Sequence, residues 1–370
     1  MVEAWSDLLN KNGIRLETMN DPFDAIWQGR PQLPQNAVDI QPLEFSGESV
    51  ASKIERLRGC LQSTGATAML VTALDEVAWL VNLRGSDVHC NPVFVAYCVV
   101  LQEEIRLYID KAKLTEPAIR HLLSERVSLR FYDDIETDLR TLKHATVLLA
   151  PETNAWLAKI AAMNNRIVRA ASPVAALKAV KNKAEMSGFR RAMLRDGVAL
   201  TRFFRWLKPA VKAGGITEMD VDRKLTSLRA EQPLFRGISF DTIAGYGDHG
   251  AIVHYEATSE TNRVLQPKGL LLLDSGAQYQ DGTTDITRTI ALGCPTEEER
   301  HVYTLVLKGH IALARLKFPS GSSGTQLDLS ARYSMWQEGY DYGHGTGHGV
   351  GSFLNVHEGP HQIRKNYMPA

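Results

Sequence analysis

A chain of 370 residues is too long for one ordinary core and suits two domains, or two and a piece. Its 42 basic residues balance 42 acidic ones, which removes the electrostatic case for nucleic acid or an anionic membrane as partner and leaves a small or neutral substrate. Met1 to Asp7 lack the basic and apolar regions of a secretory signal, and the longest apolar run, Val93 to Leu101, is far short of a membrane span; the expectation is a soluble, cytoplasmic protein.

Residues 1–45 show little apolar periodicity and hold four of the 15 prolines, so they read as a linker or the tail of a preceding domain. From Ser46 the pattern alternates: helix (Val50 to Leu61), strand (Ala68 to Val71), a strand pair (Val93 to Leu101, Ile105 to Ile109), helix (Glu116 to Leu123) and strand (Thr146 to Leu149). This predicts a compact α/β domain over residues 46–174. A second domain, 175–370, opens on a long amphipathic helix, Ala184 to Leu207. Its expected apolar face is Met193, Val198, Leu200, Phe204 and Leu207, and Lys208-Pro209 ends it. Thr217 with Asp220 three residues later starts another helix, continued by Val221 to Leu228. Strands follow at Ile238 to Ala244, Leu270 to Asp274 and Thr283 to Ile290, the last two joined by a turn at Asp281-Gly282. A helix from Thr296 to Phe318 and a loop at Gly321 to Gly324 come next. Cys60, Cys90, Cys98 and Cys294 form no C-x-x-C pair and are expected to be reduced, mostly buried thiols.

Seven of the 11 histidines lie from His254 onward, where glycine-rich loops and isolated aspartates also gather. Asp274 ends the run Leu270 to Leu273, and a carboxylate at the end of a buried strand needs a partner, of which a metal is one kind. Asp285 lies across the expected turn. With the turn at Asp281-Gly282 the two aspartates share a sheet face but stand four residues apart, about 13 Å, so a bulge, for which Ser275-Gly276 is a place, or a strong twist is required to bring them to one site. The segment Gly343 to Gly351 sets His344 and His348 among five glycines in nine residues, too many for the helix of an H-E-x-x-H protease and without the spacing of a nucleotide loop. His357 and His254 add two more imidazoles nearby in sequence.

These segments resemble a known family. Gly250 to Tyr255, Asp274-Ser275-Gly276-Ala277-Gln278-Tyr279, Gly282 to Arg288, His344 to Gly351 and Asn355-Val356-His357-Glu358-Gly359-Pro360 are similar in order and spacing to the catalytic domain of the Xaa-Pro aminopeptidases, peptidases of the M24 pita-bread fold. Thr72 to Leu80 with Asn82 to Asp87 looks like the middle domain of their long, three-domain form. The resemblance implies a fold of mixed α/β and α+β type, a creatinase-N-like α/β domain followed by a pita-bread domain incomplete at its end. It implies a hydrolase releasing the N-terminal residue from peptides with proline second, using a hydroxide between two divalent ions. Carried over by position, Asp274 binds one metal, Asp285 bridges both and His348 binds the other. His357 shuttles a proton, and His254 and His344 line the substrate pocket. Carboxylate-rich ligation favours Mn²⁺. In the family two glutamate ligands follow the Asn355 to Pro360 segment, and these residues contain neither, so the chain alone is expected to be impaired. Glu358 is not a ligand by this comparison. A homodimer is compatible with the resemblance, and the alternative to an enzyme is a pita-bread module that only binds peptides or proteins.

Overall fold

The structure is a computed structural model that describes residues 2–17, 19, 21–23 and 25–366. It divides into two compact units. The first comprises Met1–Gln41, Glu48–Asp87 and Val93–Leu177, and the second Pro42–Gly47, Val88–Pro92 and Lys178–Ala370. The second unit thus takes two short segments, one of them embedded in the range expected for the first domain.

The first unit is built on β1 (Ala68–Val71), β2 (Tyr97–Val100), β3 (Ile105–Tyr108), β4 (Val127–Arg130), β5 (Thr146–Leu149) and β6 (Arg166–Arg169), in the spatial order β4-β3-β2-β1-β5-β6. β1 is buried along its whole length because it is central, parallel to β5 and antiparallel to β2, which is why Ala-Met-Leu-Val reads as a continuous apolar run. The two edges, β4 and β6, were not expected from the sequence. Val-Ser-Leu-Arg and Arg-Ile-Val-Arg carry the charge that edge strands use against further pairing, and that charge hides their strand character. Among the described residues Cys98 is buried, Cys60 and Cys90 are half-buried and Cys294 is exposed, so burial of the thiols is less general than expected.

In the second unit α1 (Lys183–Ala213) starts at a capping box, with Asn182 as cap and Glu185 closing it. It does not stop at Pro209 but runs one turn further, to Gly214. Proline removes one helical N–H, yet Leu207 and Val211 on either side are buried against Leu225, Leu271 and their neighbours, and that packing outweighs the lost bond. The buried residues are Glu185, Gly188, Ala192, Asp196, Ala199, Leu200, Phe203, Leu207 and Val211; of the expected face Leu200 and Leu207 are buried and Phe204 packs against the core, while Met193 and Val198 are each 45% exposed. Small residues define the face because the helix lies directly on backbone: a Cβ at Gly188 would fall 2.0 Å from the carbonyl oxygen of Asp281. α2 (Glu218–Ala230) follows with Thr217 as its cap.

Two three-stranded antiparallel sheets carry the rest. One has order β8 (Ile243–Tyr246), β9 (Leu270–Ser275), β12 (Ile286–Ala291); the other β11 (Gly282–Thr283), β10 (Ala277–Tyr279), β7 (Phe235–Ile238). The hairpin turn is Gln280-Asp281, not Asp281-Gly282: Tyr279 faces Gly282 and Gln278 faces Thr283. The Asp-Gly signal presupposes a positive φ, and residues 279–282 have none; Asp281 is instead fixed by burial between Arg191 and Arg195 of α1. The same register continues into the other sheet, where Ser275 faces Ile286 and Asp274 faces Thr287. Asp285 therefore falls opposite Gly276, two residues from Asp274, about 6.6 Å along the strand. No bulge is needed; the turn position closes the gap.

At Gly276 the strands pass from one sheet to the other, and a Cβ there would lie 2.0 Å from Thr284 O and 2.1 Å from Ser239 Oγ. Gly276→Ala is expected to cost about 3 kcal/mol, at the upper end of overpacking changes, read as a lowered urea midpoint at unchanged slope. Glu297–Arg315 (α3) and Gly324–Trp336 (α4) pack together, and the last sheet pairs β13 (Gly347–Gly349) with β14 (Glu358–Ile363). No described helix is long and apolar enough to cross a membrane.

Candidate metal centre

Strand β9 delivers Asp274, and the link between β11 and β12 delivers Asp285. Asp274 Oδ1 is buried and receives no hydrogen bond. Burial, opposed by a hydrogen bond from Thr287 and reinforced by the charge of Asp285, holds the Asp274 carboxyl above its ordinary range. Arg288, three residues after Asp285, donates to the carbonyl of Thr287 at 2.7 Å. The group that faces Asp285 is His348 of β13, whose Nε2 is 3.2 Å from Asp285 Oδ2. His348 Nδ1 donates to Gly349 O at 2.7 Å, which orients the ring. The bond to Asp285 raises the affinity of His348 for a proton against the cost of its burial.

His357 meets His348 edge to face at 4.2 Å between ring centroids, and burial followed by the His348 charge holds it below the ordinary histidine value. His254 stands 6.5 Å from His357, presented by a left-handed backbone with φ of 57°. The ligand atoms of Asp285, His348 and His357 lie within 4.8 Å of one another. Five of the six residues singled out in the sequence thus come together. The sixth, His344, is exposed and stacks on Tyr342 at 4.7 Å, with Nδ1 against Gly345 O. Two carboxylates, one carrying a buried oxygen without a donor, and an oriented imidazole fit a divalent cation of hard to borderline character.

Three buried supports were not foreseen. Glu218, at the start of α2, accepts from Tyr246 N, Arg263 N, His249 Nδ1 and Tyr255 OH, and so fixes the segment that carries His254. In sequence it passes for an ordinary capping acid. Glu358, directly after His357, is fully buried between Lys178 Nζ at 2.7 Å and Lys181, which engages both oxygens and leaves none to bind a metal. Asp196 and Arg229 lock α1 to α2; a charged residue on the stripe of a core helix is the signal that could have found them.

Asp274 on a strand and Asp285 in the link after β11 face His348 of β13 and His357, on paired antiparallel sheets backed by helices, the arrangement of a pita-bread fold. Residues 29–185 match the Creatinase/Prolidase N-terminal domain and residues 187–369 match Metallopeptidase family M24; the chain belongs to that family. It is 44% identical over 369 residues to a probable Xaa-Pro aminopeptidase P of Leptosphaeria maculans, covering 96% of this chain and 61% of that protein. The corresponding protein of Laccaria bicolor is 46% identical over 349 residues, with 92% and 54% covered. The chain therefore spans between half and two thirds of these relatives. Among solved structures, the X-prolyl aminopeptidase of Caenorhabditis elegans, described as a cytosolic enzyme with a di-nuclear active site, superposes with a TM-score of 0.93 at 38% identity, over 98% of this chain and 61% of that one. The Xaa-Pro dipeptidase of Bacillus anthracis, at 21% identity and a TM-score of 0.70 over 86% and 85%, shares the fold.

Proposed function

We propose that this chain carries the catalytic machinery of an Xaa-Pro aminopeptidase, a hydrolase releasing the first residue of peptides whose second residue is proline. The convergence of Asp274, Asp285, His348 and His357 in a member of family M24 is the observation that supports it most. Asp274 and His348 are proposed as ligands of one ion each and Asp285 as the bridge. Bound there, two divalent ions, Mn²⁺ by preference for a carboxylate-rich donor set, supply Lewis acidity and a lowered water pKa.

An Xaa-Pro bond is a tertiary amide whose nitrogen carries no hydrogen, and that nitrogen leaves poorly unless protonated. His357 is proposed to shuttle the proton to it; burial, then the neighbouring His348, lowers its pKa, so the imidazole is a stronger acid once protonated and is otherwise ready to take a proton from water. His254 is proposed to orient the scissile group from its fixed loop, and His344, on its Tyr342 platform, to meet the proline side of the substrate. In the whole enzyme, His357→Ala and His254→Ala are expected to lower kcat by about 10²-fold or more with smaller changes in KM, measured on an Xaa-Pro-containing tripeptide. Unchanged kcat in both would remove the assigned roles. The free N-terminal residue as product separates this activity from that of a dipeptidase.

Three protein ligands for two ions are few, and the 370 residues alone are proposed to hold metal weakly and to turn over little substrate. Calorimetric titration with Mn²⁺ tests this; tight binding of two ions would overturn it. The unpaired cysteines fit a reducing compartment, and we place the protein in the cytoplasm.

A further inference from the structure

A second set of donors, none of them among the residues above, converges within the same unit. The ligand atoms of His89, Cys90 and Asp241 lie within 4.8 Å of one another, and His89 Nε2 is 2.8 Å from Asp241 Oδ1. The three arrive from two elements: the tight turn Val88–Asn91, closed by Asn91 N to Val88 O at 3.1 Å, and the segment leading into β8. Cys90 sits at the sharpest point of that turn with a φ of 61°, a left-handed conformation that a residue with a side chain adopts only when its surroundings impose it. Gln278, 3% exposed, donates its amide to Cys90 O at 3.2 Å and to Leu354 O at 2.9 Å. The main chain of Cys90 is therefore anchored to buried structure, with the half-buried thiol beside the imidazole and the carboxylate.

We infer that His89, Cys90 and Asp241 form a second cation site, selective for Zn²⁺ or a similarly thiophilic divalent ion. A sulfur, a nitrogen and an oxygen donor are the mixed set that zinc takes, with water completing a tetrahedron; the aspartate-rich centre contains no thiol. Tetrahedral ligation sets donors about 3.3 to 3.6 Å apart, so the His89–Asp241 contact opens by under 1 Å. The exposure of the His89 and Asp241 side chains, 73% and 48%, leaves them free to make that adjustment and leaves the fourth position open to solvent. Without a cation, burial and the Asp241 charge push the Cys90 thiol up to about 11; a divalent ion bound between the two reverses the sign of that interaction.

Cobalt(II) distinguishes this site from the first, because thiolate-to-cobalt charge transfer in the near ultraviolet arises only when a cysteine sulfur is a ligand. The metal-free 370-residue chain titrated with Co²⁺ is expected to develop that band to saturation at one ion per chain, with stoichiometric Zn²⁺ abolishing it. Cys90→Ser is expected to eliminate the band, and His89→Ala or Asp241→Asn to weaken Co²⁺ binding about tenfold or more. Asp285→Asn and Cys294→Ser are expected to leave it intact, with far-ultraviolet circular dichroism confirming that each variant is folded. Absence of the band in the unmodified chain, its survival in Cys90→Ser, its loss in Cys294→Ser, or indifference to both His89→Ala and Asp241→Asn would each overturn the assignment. The readout does not depend on peptidase activity, so a failure of the proposed function leaves this test unaffected.

Discussion

Replacing Arg229 with methionine is expected to lower the unfolding free energy by about 3 to 5 kcal/mol, roughly 10 °C in the melting transition, the largest stability loss of any single change proposed for this chain. Asp196 and Arg229 have no exposed side-chain surface and meet in a two-point contact, Nε to Oδ1 at 2.6 Å and Nη2 to Oδ2 at 2.9 Å. Asp196 also accepts from Tyr279 OH at 3.2 Å and Thr284 Oγ1 at 3.0 Å. Removing the guanidinium leaves a buried carboxylate charge with only two neutral donors, and the desolvation already incurred is no longer compensated. The double variant Asp196→Leu/Arg229→Met removes both charges and is expected to regain a large part of the loss, because the pair's mutual attraction roughly offsets the cost of burying it. Function should not return with stability. Thr284 precedes Asp285, and its hydroxyl, held by Asp196, accepts from Ala277 N at 3.0 Å, so the network sets the backbone that presents the proposed bridging aspartate. Urea denaturation of the two single variants and the double gives the coupling energy. Metal affinity in the double variant equal to that of the parent would show that the network stabilises the fold without positioning the site.

That network marks where the sequence stopped being legible. Elements whose signals are local were readable: the strand Ala68–Val71, a continuous apolar run, and the helix capped by Thr217 lie where that run and the capping pattern place them. The face of the long helix was readable only at its C-terminal half, where Leu200, Phe204 and Leu207 pack on the core; toward its start Gly188 and Ala192 are buried by contact with backbone, and small residues carry little weight in a hydrophobic pattern beside Met193 and Val198. The hairpin register was misplaced by the Asp281-Gly282 signal, since local turn preference lost to the burial of Asp281 between two arginines of another element. The site was legible in a different way. Asp274, Asp285, His348, His357 and His254 stood out by residue type and glycine context, but that His348 faces Asp285 while His344 stacks away depends on the pairing of β13 with β14, which lies beyond local pattern.

Asp285→Asn is expected to separate stability from function more sharply than any other change: loss of metal-dependent turnover by about 10³-fold or more in the whole enzyme, together with a metal-free chain at least as stable as the parent. Without a cation, Asp274 and Asp285 are like charges in a partly dry site, and the repulsion adds to burial in raising the Asp274 pKa. An amide at 285 removes that repulsion but also removes the proposed bridging ligand. The pH dependence follows from the same groups. A carboxyl whose folded pKa lies above its unfolded value of 3.8, and an imidazole raised above 6.5, both bind protons more tightly in the folded chain. Their contribution to metal-free stability is thus complete below those unfolded values and is lost as pH rises through the folded ones. Metal binding needs the deprotonated ligands, so the gain in melting temperature on adding Mn²⁺ should grow between about pH 5 and about pH 8 in the parent and stay near zero in Asp285→Asn. Thermal unfolding with and without Mn²⁺ across that range tests both halves. A variant that still gains stability from Mn²⁺ as the parent does would exclude Asp285 as a ligand, and one that loses stability in the absence of metal would show that its carboxylate holds the sheets together instead.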